Sequence, residues 1–490
     1  MERRSKERVG GEGVAEQEPG GGTQGLRLRR EIGLWSAVSL ITGSMIGSGI
    51  FMSPQRVLVY VGSPGASLLV WAACGFLATL GALCYAELSA LVPESGGDYA
   101  YILRTFGSLP AFLVIYTFVL VGRPAAIAAL SLSFAEYAVA PFYLGCSSLP
   151  QVAVKGVAVT GILLLLIVNC WSSRLATMLM NVCTVAKVLS LLLIVVGGAA
   201  VLAQGLGHKE VLLHAFHNTT QQAGRFGLAF YQGLWSFDGW NSLNYVMEEL
   251  RNPHKNLVWA LMIAIPMVTC LYILVNISYL LVLSPSEILS SDAVAVSWGK
   301  QVLGAWGWLV PVAVVLSGFG SANGAFFSGS RICYVAGREG HMPSLLSMVH
   351  AHHLTPAPAL MFTTAVALIL IIQGSFSAIV NLLSLIAWII YGTTISCLLY
   401  LRVKEKHLPR SYKVPTFIPV IMLLASIFLV LVPIIDHPQM EFFYLFLFLL
   451  SGFLAYFLFI YFQCQPKCLQ MATLHLQLLL EVAPTTRHAH

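Results

Sequence analysis

Long apolar segments separated by short polar loops run through almost the whole chain. A hydropathy window finds about twelve of them, at 33–61, 65–92, 109–140, 152–172, 175–204, 223–247, 257–283, 304–335, 357–374, 376–401, 416–435 and 441–463. As a helix, a segment of about 20 apolar residues is long enough to cross the roughly 30 Å hydrocarbon layer of a bilayer. The pattern therefore predicts an all-α integral membrane protein with about twelve transmembrane helices, numbered here as spans 1 to 12.

The two ends of the chain depart from this pattern. Residues 1–30 are polar and rich in Gly, Glu and Arg, which is typical of a disordered tail. Residues 31–463 hold the apolar segments and form the predicted transmembrane domain, and residues 464–490 form a second tail. Within that tail, 469–480 has apolar residues at helical spacing but is too short and too polar to span a bilayer. This short amphipathic helix is expected either to lie on the membrane surface or to dock on the cytoplasmic face.

Basic residues are concentrated before span 1 and between spans 10 and 11. Since Lys and Arg accumulate in cytoplasmic loops, both termini are predicted to be cytoplasmic. The net charge of +6 is therefore interpreted as membrane topology, and no nucleic-acid partner is expected. With 57% hydrophobic and 10% charged residues, the chain also differs from an ordinary soluble enzyme.

Two of the spans are interrupted near their middle. Span 1 carries Gly43, Gly47 and Gly49, and each glycine costs a helix interior about 1 kcal/mol relative to alanine. Span 6 carries Asp238 beside Gly239, and an acid at that depth is expensive in lipid. Close helix packing is an alternative explanation for the glycines. Because the interruptions lie five spans apart, they predict a 5+5 inverted repeat with broken helices 1 and 6.

Broken helices at corresponding positions point to the substrate site of a transporter. The N-terminus of a half-helix presents N–H groups to an anion, and the C-terminus of a half-helix presents carbonyls to a cation. The pair of breaks therefore fits a zwitterion. Its α-carboxylate is expected at Ser48 and Gly49, and its α-ammonium at carbonyls near Met45 and Trp235.

Five motifs lie in or next to the spans. They are Gly-Ser-Gly-Ile-Phe at 47–51, Cys-Tyr-Ala-Glu-Leu at 84–88, Pro-Glu-Ser-Gly-Gly-Asp-Tyr at 93–99, Glu-Glu-Leu-Arg-Asn-Pro at 248–253 and Ala-Gly-Arg-Glu-Gly-His-Met at 336–342. Together they resemble the amino acid–polyamine–organocation superfamily with its LeuT-like fold, and within it the light subunits of heteromeric amino-acid transporters. The resemblance runs from about residue 30 to about 482. It is closest to the light chain that exchanges cationic amino acids and cystine for neutral ones.

This resemblance implies a sodium-independent amino-acid exchanger that works by alternating access. Ser48 and Gly49 match the backbone donors for the substrate carboxylate, and Met45, Trp235 and Asp238 match the positions whose carbonyls receive the ammonium. Trp235 also matches the aromatic gate over the substrate. The Asp238 side chain matches the acid that faces a basic substrate side chain. The alternative interpretation is that the Asp238 side chain makes a structural hydrogen bond to the unwound backbone.

Further substrate-binding candidates lie beside these positions. They are Ile46, Gly47, Phe237 and Trp388. The Ala387-Trp388 pair resembles the cationic/cystine exchanger, whereas Ser236 and Phe237 replace an expected Ala and Tyr. A wider or more aromatic pocket would favour neutral aromatic substrates, so an exchanger of neutral and aromatic amino acids stays open as an alternative.

Lys187, in the middle of span 5, resembles a lysine that takes the place of a sodium ion in sodium-independent members. Snorkelling of its ammonium to the surface is the alternative. Arg123 in span 3 is a second cation at membrane depth. Its role is interpreted as structural, because the resemblance leads us to expect a lysine there.

Cys146 follows span 3 in a loop predicted to be extracellular, where a lone cysteine suggests intermolecular pairing. It matches the cysteine that joins light chains to a single-span heavy-chain glycoprotein. The resemblance places such a pair in the plasma membrane and leaves an apical epithelial membrane open.

Other classes of protein fit the sequence less well. Neither a cofactor nor a metal is expected, since only Cys464 and Cys468 are closely spaced and no nucleophile–base arrangement of an enzyme is found. A non-transporting membrane sensor or structural subunit on the same fold stays open.

Overall fold

The computed structural model describes residues 33–93, 97–143, 148–245, 247, 250–338, 340–353, 355–463 and 467–484. Almost all of this chain is helical. The helices are α1 (Leu34–Met45), α2 (Gly49–Val61), α3 (Pro64–Leu91), α4 (Asp98–Phe106), α5 (Ser108–Thr117), α6 (Arg123–Val139), α7 (Gln151–Trp171), α8 (Ser173–Ala203), α9 (Glu210–Leu213), α10 (Ala223–Ser236), α11 (Pro253–Val282), α12 (Pro285–Ser290), α13 (Val294–Leu303), α14 (Leu309–Arg338), α15 (Ala357–Gln373), α16 (Phe376–Lys404), α17 (Phe417–Asp436), α18 (Met440–Ala455) and α19 (Lys467–Leu479). Two short strands complete it, β1 (Met348–His350) and β2 (Val482–Pro484).

The predicted multi-pass helical fold is confirmed. Within the described residues, nine helices are long and apolar enough to cross a membrane, and α1 and α2 form a tenth span that is bent by 50°. The shorter helices α10 and α15 occupy the positions of spans 6 and 9. Span 3 runs from α5 to α6 through a π-helical turn at Phe118–Gly122. The order of helices therefore follows the twelve apolar segments of the sequence.

Local sequence explains where the helices begin and end. Helix α2 stops at Gly62, whose φ of 80° is a left-handed conformation that glycine adopts without a steric penalty. Helix α3 begins immediately afterwards, because Pro64 fits the first helical turn and the Ser63 hydroxyl accepts the Ala66 amide. Spans 1 and 2 are therefore antiparallel neighbours joined by a tight turn.

The spans form two groups of packed helices. Helices α1, α2, α3, α10 and α11 pack on one another, and we call these spans 1, 2, 6 and 7 the bundle. Helices α6, α7, α14 and α15 pack on one another, and we call these spans 3, 4, 8 and 9 the scaffold. Helix α8 packs against both α14 and α11, and α16 packs against both α6 and α10. Spans 5 and 10 therefore connect the two groups.

Hydrogen bonds between loops and helix ends connect neighbouring segments on one face of the molecule. The Gly65 amide donates to the Ala215 carbonyl at 2.7 Å, which ties the turn between spans 1 and 2 to the loop between spans 5 and 6. The Leu149 amide donates to the Asp292 carboxylate at 3.3 Å, and the Lys155 ammonium donates to the Ile372 carbonyl at 2.8 Å. We call this the outer face, because the charge pattern predicts it to be extracellular. The opposite, inner face is predicted to be cytoplasmic.

The C-terminal segment lies on the inner face. Strand β2 pairs antiparallel with β1, which belongs to the connection between spans 8 and 9, and Val482 lies opposite His350. Helix α19 precedes this strand, and its residues are exposed or half-buried. Backbone pairing therefore docks the end of the chain on the helical domain, a contact that apolar spacing along the chain does not reveal.

A buried carboxylate joins span 2 to the connection between spans 10 and 11. Glu87 is fully buried, and its carboxylate accepts hydrogen bonds from the Arg402 guanidinium and, at 3.0 Å, from the Val414 amide. Arg410 approaches the same carboxylate to 4.0 Å. A buried charge is tolerated when it is paired and hydrogen-bonded in this way.

Replacement of that carboxylate should destabilise the protein. Glu87→Gln leaves two guanidinium groups without their anion, and removal of one partner of a buried pair costs about 3–5 kcal/mol. We expect a clear fall in the melting temperature of the detergent-solubilised protein, measured by thermal unfolding. Glu405→Gln is the matched control, because Glu405 is exposed at the end of α16. Equal melting temperatures of the two variants would contradict the role assigned to Glu87.

Candidate functional site

The break in span 1 separates α1 from α2 by three residues. Helix α1 ends at Met45, and the backbone of Ile46 is extended, with φ −73° and ψ 96°. The Ser48 carbonyl accepts the amides of Phe51 and Met52 at 3.1 and 3.2 Å. The amides of Ser48 and Gly49 therefore precede these first hydrogen bonds of α2, and they are oriented like the free donors at any helix N-terminus.

The break in span 6 follows Ser236, the last residue of α10. A tight turn follows, in which the Asp238 amide donates to the Trp235 carbonyl at 3.2 Å. Gly239 has φ 100°, a conformation that few other residues adopt, and a short 3₁₀ helix then covers Ser242–Tyr245. Both breaks that the sequence predicts are therefore confirmed.

The two breaks are in direct contact. A Cβ atom at Gly49 would lie 2.7 Å from the Cα atom of Ser236, and one at Gly239 would lie 2.9 Å from the Cβ atom of Ser44. The Ser44 hydroxyl also lies 3.0 Å from the Ser242 hydroxyl. The glycines therefore serve close packing as well as unwinding. The contact brings the positive N-terminus of α2 beside the negative C-terminus of α10.

Tyr272 of span 7 joins the two breaks. Its buried hydroxyl lies 2.7 Å from the Met45 carbonyl oxygen and 2.8 Å from the Ser236 carbonyl oxygen, and it donates to this pair of acceptors. Such carbonyls at the ends of half-helices need a donor when they lie at membrane depth. The sequence predictions did not include Tyr272. A tyrosine in an apolar span is a weak signal of a polar partner.

Several buried polar side chains around the breaks have no hydrogen-bond partner among the described residues. They are the hydroxyls of Thr42, Ser48, Ser236 and Ser321 and the indole N–H of Trp235. Ser321 belongs to span 8 and lies 3.5 Å from the position that a Cβ atom of Gly47 would take. Since buried polar groups are nearly always paired in native proteins, this concentration is typical of a site that binds a polar ligand or water.

Asp238 lies in the turn between α10 and the 3₁₀ helix, and it is exposed although it is surrounded by helices. Its charge interacts with Arg123 of span 3 and with the Gly239 amide. Arg123 stacks its guanidinium 4.5 Å from the ring centroid of Phe118, and its Nε has no hydrogen-bond partner among the described residues. The site therefore contains an exposed acid of the bundle and, on the scaffold, a cation whose charge acts on that acid.

Trp235 lies on the outer side of the break. Its ring meets that of Phe376 edge to face, with centroids 6.5 Å apart. Phe376 is the first residue of α16. The aromatic gate that the resemblance assigns to Trp235 would therefore close against span 10.

Phe237 points into an aromatic cluster of the bundle. It is fully buried, and its ring centroid lies 6.2 Å from that of Trp71 and 5.0 Å from that of Tyr272. The cluster therefore supports the hydroxyl that joins the breaks. A direct contact of Phe237 with substrate stays a prediction.

Trp388 lies near the middle of α16. It packs on Tyr391, which in turn packs on Trp240 with centroids 5.1 Å apart. Below them, the Asn244 amide donates to the Ser89 hydroxyl at 2.7 Å and to the Tyr85 carbonyl at 3.2 Å. Aromatic rings and hydrogen bonds therefore connect the inner half of span 6 with spans 2 and 10.

Lys187 is buried in α8. One turn away, Cys183 packs so tightly on Gly320 of span 8 that an added Cβ atom would lie 2.2 Å from the cysteine Cβ. Ser321, the next residue, is the one that approaches Gly47. Lys187 therefore lies one turn from the packing contact between span 5 and the part of span 8 that reaches the first break. Cys146 lies outside the described residues.

The geometry agrees with comparisons with known proteins. The family model for amino acid permeases matches residues 32–460. The chain belongs to the amino acid permease family. It is 46% identical over 481 residues to the human b(0,+)-type amino acid transporter 1, with 98% of this chain and 97% of that protein covered. It is also 41% identical over 460 residues to the human large neutral amino acids transporter small subunit 2, with 94% and 86% covered.

The mouse b(0,+)-type amino acid transporter 1 gives a comparable result. It is 47% identical over 459 residues, with 93% of this chain and 94% of that protein covered. Nearly the whole length of this permease is thus shared with proteins of both kinds.

The contact between the breaks can be tested with two glycines of this permease. Gly49→Ala forces a methyl group into the backbone of Ser236, whereas Gly47→Ala places its methyl in ordinary contact, 3.5 Å from the Ser321 hydroxyl. We expect Gly49→Ala to lower the melting temperature of the purified protein by several degrees, since overpacking costs about 1–3 kcal/mol. Gly47→Ala should leave it nearly unchanged, and the reverse order would contradict the proposed contact.

Proposed function

We propose that this permease is a sodium-independent amino-acid exchanger of the plasma membrane, with both termini in the cytoplasm. Its substrates are cationic and neutral L-amino acids, with cystine included. The observation that carries the proposal is the contact between the two broken helices, where opposite helix ends and unpaired polar side chains converge. Both ends of an α-amino acid have complementary partners there.

The substrate carboxylate binds the amides of Ser48 and Gly49 at the start of α2. Its ammonium binds carbonyls of Met45, Trp235 and Asp238, with Ile46 and Gly47 lining the same turn. The Met45 carbonyl already accepts one hydrogen bond, from Tyr272, and a carbonyl oxygen has a second lone pair for the substrate. Trp235 closes over the substrate, and the bundle then rocks against the scaffold.

Asp238 selects substrates by charge. Its carboxylate faces an accessible space, where the ammonium or guanidinium of a basic side chain can pair with it. The nearby Arg123 offsets part of this attraction. That observation favours the second candidate function, an exchanger that prefers neutral and aromatic amino acids, with Phe237 and Trp388 as aromatic residues of the site.

Sodium independence rests on Lys187. A buried ammonium beside the packing contact of spans 5 and 8 supplies a fixed positive charge at membrane depth. A fixed charge of this kind removes the need for a bound monovalent cation. Transport at equal rates in sodium and in choline buffers is the corresponding expectation.

The second subunit of the exchanger is a single-span heavy-chain glycoprotein, joined through Cys146. One of the similar proteins is named a small subunit, which fits a shared two-subunit organisation. The position of Cys146 in the predicted extracellular loop after span 3 supports a disulfide, because such bonds persist in oxidising surroundings.

Counterflow in proteoliposomes tests the proposed function. Vesicles that contain the purified protein are preloaded with leucine, arginine or no amino acid, and uptake of labelled arginine, cystine, leucine, tyrosine and glutamate is measured with and without sodium. Uptake that requires internal amino acid supports exchange. A complete lack of counterflow for every pair would instead favour the sensor or structural subunit.

Neutralising Asp238 should change selectivity more than turnover. Asp238→Asn keeps the size of the side chain but removes the charge that attracts a basic substrate. We expect arginine and lysine counterflow to fall at least tenfold, and leucine and tyrosine counterflow to change less than twofold. Glu210→Gln is the matched control, because Glu210 is exposed in the short helix α9 between spans 5 and 6. An equal loss for all substrates would contradict a charge-selecting role for the Asp238 side chain.

The heavy-chain disulfide is tested by electrophoresis. Co-expression with a heavy chain should give a large band under non-reducing conditions, and Cys146→Ser should convert it to the light-chain band. Cys468→Ser, at an exposed cysteine of the C-terminal segment, is the control and should leave the large band in place. A large band that persists in Cys146→Ser would reject this bridge.

A further inference from the structure

Arg56 of α2 makes four contacts near the outer face. Its Nε donates to the Ser377 hydroxyl at 3.0 Å, and its Nη1 donates to the Met52 carbonyl at 2.9 Å. Its guanidinium carbon lies 4.5 Å from the ring centroid of Phe376, and Nη2 lies 3.7 Å from the Glu136 carboxylate. One side chain of the bundle is thereby attached to span 10 and to span 3 of the scaffold.

These contacts lie directly outside the candidate substrate site. Phe376, on which Arg56 stacks, is also the aromatic partner of Trp235. Next to the guanidinium is a cavity of about 130 Å³. Its lining comes from the bundle, the scaffold, span 10 and outer loops, and it includes Arg56, Glu136, Asp292, Phe376 and Ser377. The cavity therefore lies on the boundary that must separate when the outer face opens.

Glu136 is only partly paired in this arrangement. The 3.7 Å contact with Arg56 is longer than the 2.7–2.9 Å or so of a charge-assisted hydrogen bond. Its Oε2 atom is buried and has no hydrogen-bond partner among the described residues. Asp292 adds a second carboxylate to the lining and uses one oxygen to accept the Leu149 amide. The lining therefore has two carboxylates against one guanidinium.

We propose that Glu136 and the ring face of Phe376 form an outer docking point for the cationic group of an arriving amino acid. That group is the α-ammonium or a basic side chain. While the outer route is closed, the Arg56 guanidinium occupies the docking point in place of the cationic group of the substrate. This inference rests on the proposed function, because it assumes that amino acids enter between bundle and scaffold.

The chemistry of the docking point suits such an exchange of cations. An ammonium can donate to Glu136 at full hydrogen-bond distance and still lie over an aromatic ring, an interaction worth about 0.5–2 kcal/mol. A cavity of about 130 Å³ fits a head group but not a large amino acid. Docking therefore moves the Arg56 side chain. Its movement breaks the hydrogen bond to Ser377 and releases α2 from span 10.

The closure can be measured without transport. In a chain with Cys146→Ser, which removes the predicted extracellular cysteine, and Ser377→Cys, a membrane-impermeant cationic thiol reagent added outside should react slowly, because Arg56 covers this position. Addition of Arg56→Gln should raise the reaction rate at least fivefold. Arg225→Gln is the matched control, since Arg225 also lies near the outer face but donates to the Val59 carbonyl of its own bundle. It should leave the rate unchanged.

Side-specific kinetics measure the docking. Glu136→Gln should raise the KM for external arginine about tenfold, equivalent to about 1.4 kcal/mol of binding free energy. Arg56→Gln should lower that KM, because the competing cation is gone. The KM for internal arginine should stay nearly unchanged in Glu136→Gln, since the inner route does not pass this boundary.

Two results would overturn the inference. One is an Arg56→Gln variant in which both the thiol reaction and the external KM match the parent chain. The other is a Glu136→Gln variant in which external and internal KM rise together. Failure of the proposed function is a different result, namely a lack of counterflow in the parent chain, and the thiol reaction still reports the closure in that case.

Discussion

The contact between the two helix breaks is the constraint on which the rest of the structure depends. Backbone at membrane depth cannot rely on solvent for hydrogen bonds, so an unwound helix must find partners inside the protein. Here Gly49 lies against Ser236, and the Tyr272 hydroxyl is shared by the carbonyls of Met45 and Ser236. The ends of α1, α2 and α10 are thereby held around one small volume, beside the unpaired hydroxyls of Thr42, Ser48 and Ser236.

Two different closures lie on either side of this volume. On the outer side, Trp235 meets Phe376, and Arg56 covers the same ring. On the inner side, Trp240 and Tyr391 are in contact, and Asn244 is hydrogen-bonded to span 2. The outer closure joins the bundle to spans 3 and 10, whereas the inner one joins it to span 10. Contacts with span 10 are therefore part of the closure on both faces.

Much of this could be predicted from the chain. The apolar segments gave the spans, and glycines in span 1 and an acid in span 6 predicted where the helices break, because each is costly in an intact apolar helix. Tyr272 was missed, since a tyrosine in span 7 resembles any buried aromatic residue. The paired strands β1 and β2 were missed as well, because they are three residues each and their paired residues lie 132 or more positions apart in sequence.

By itself, the sequence determined which segments enter the membrane, where two of them unwind and which chemistry the unwound residues offer. These properties are local, because hydropathy, helix propensity and the cost of a buried charge depend on a few neighbouring residues. Only the tertiary structure decided which charges meet: Glu136 with Arg56, and Glu87 with Arg402. The partners in these pairs lie far apart in sequence, and packing of all the helices of the domain brings them together.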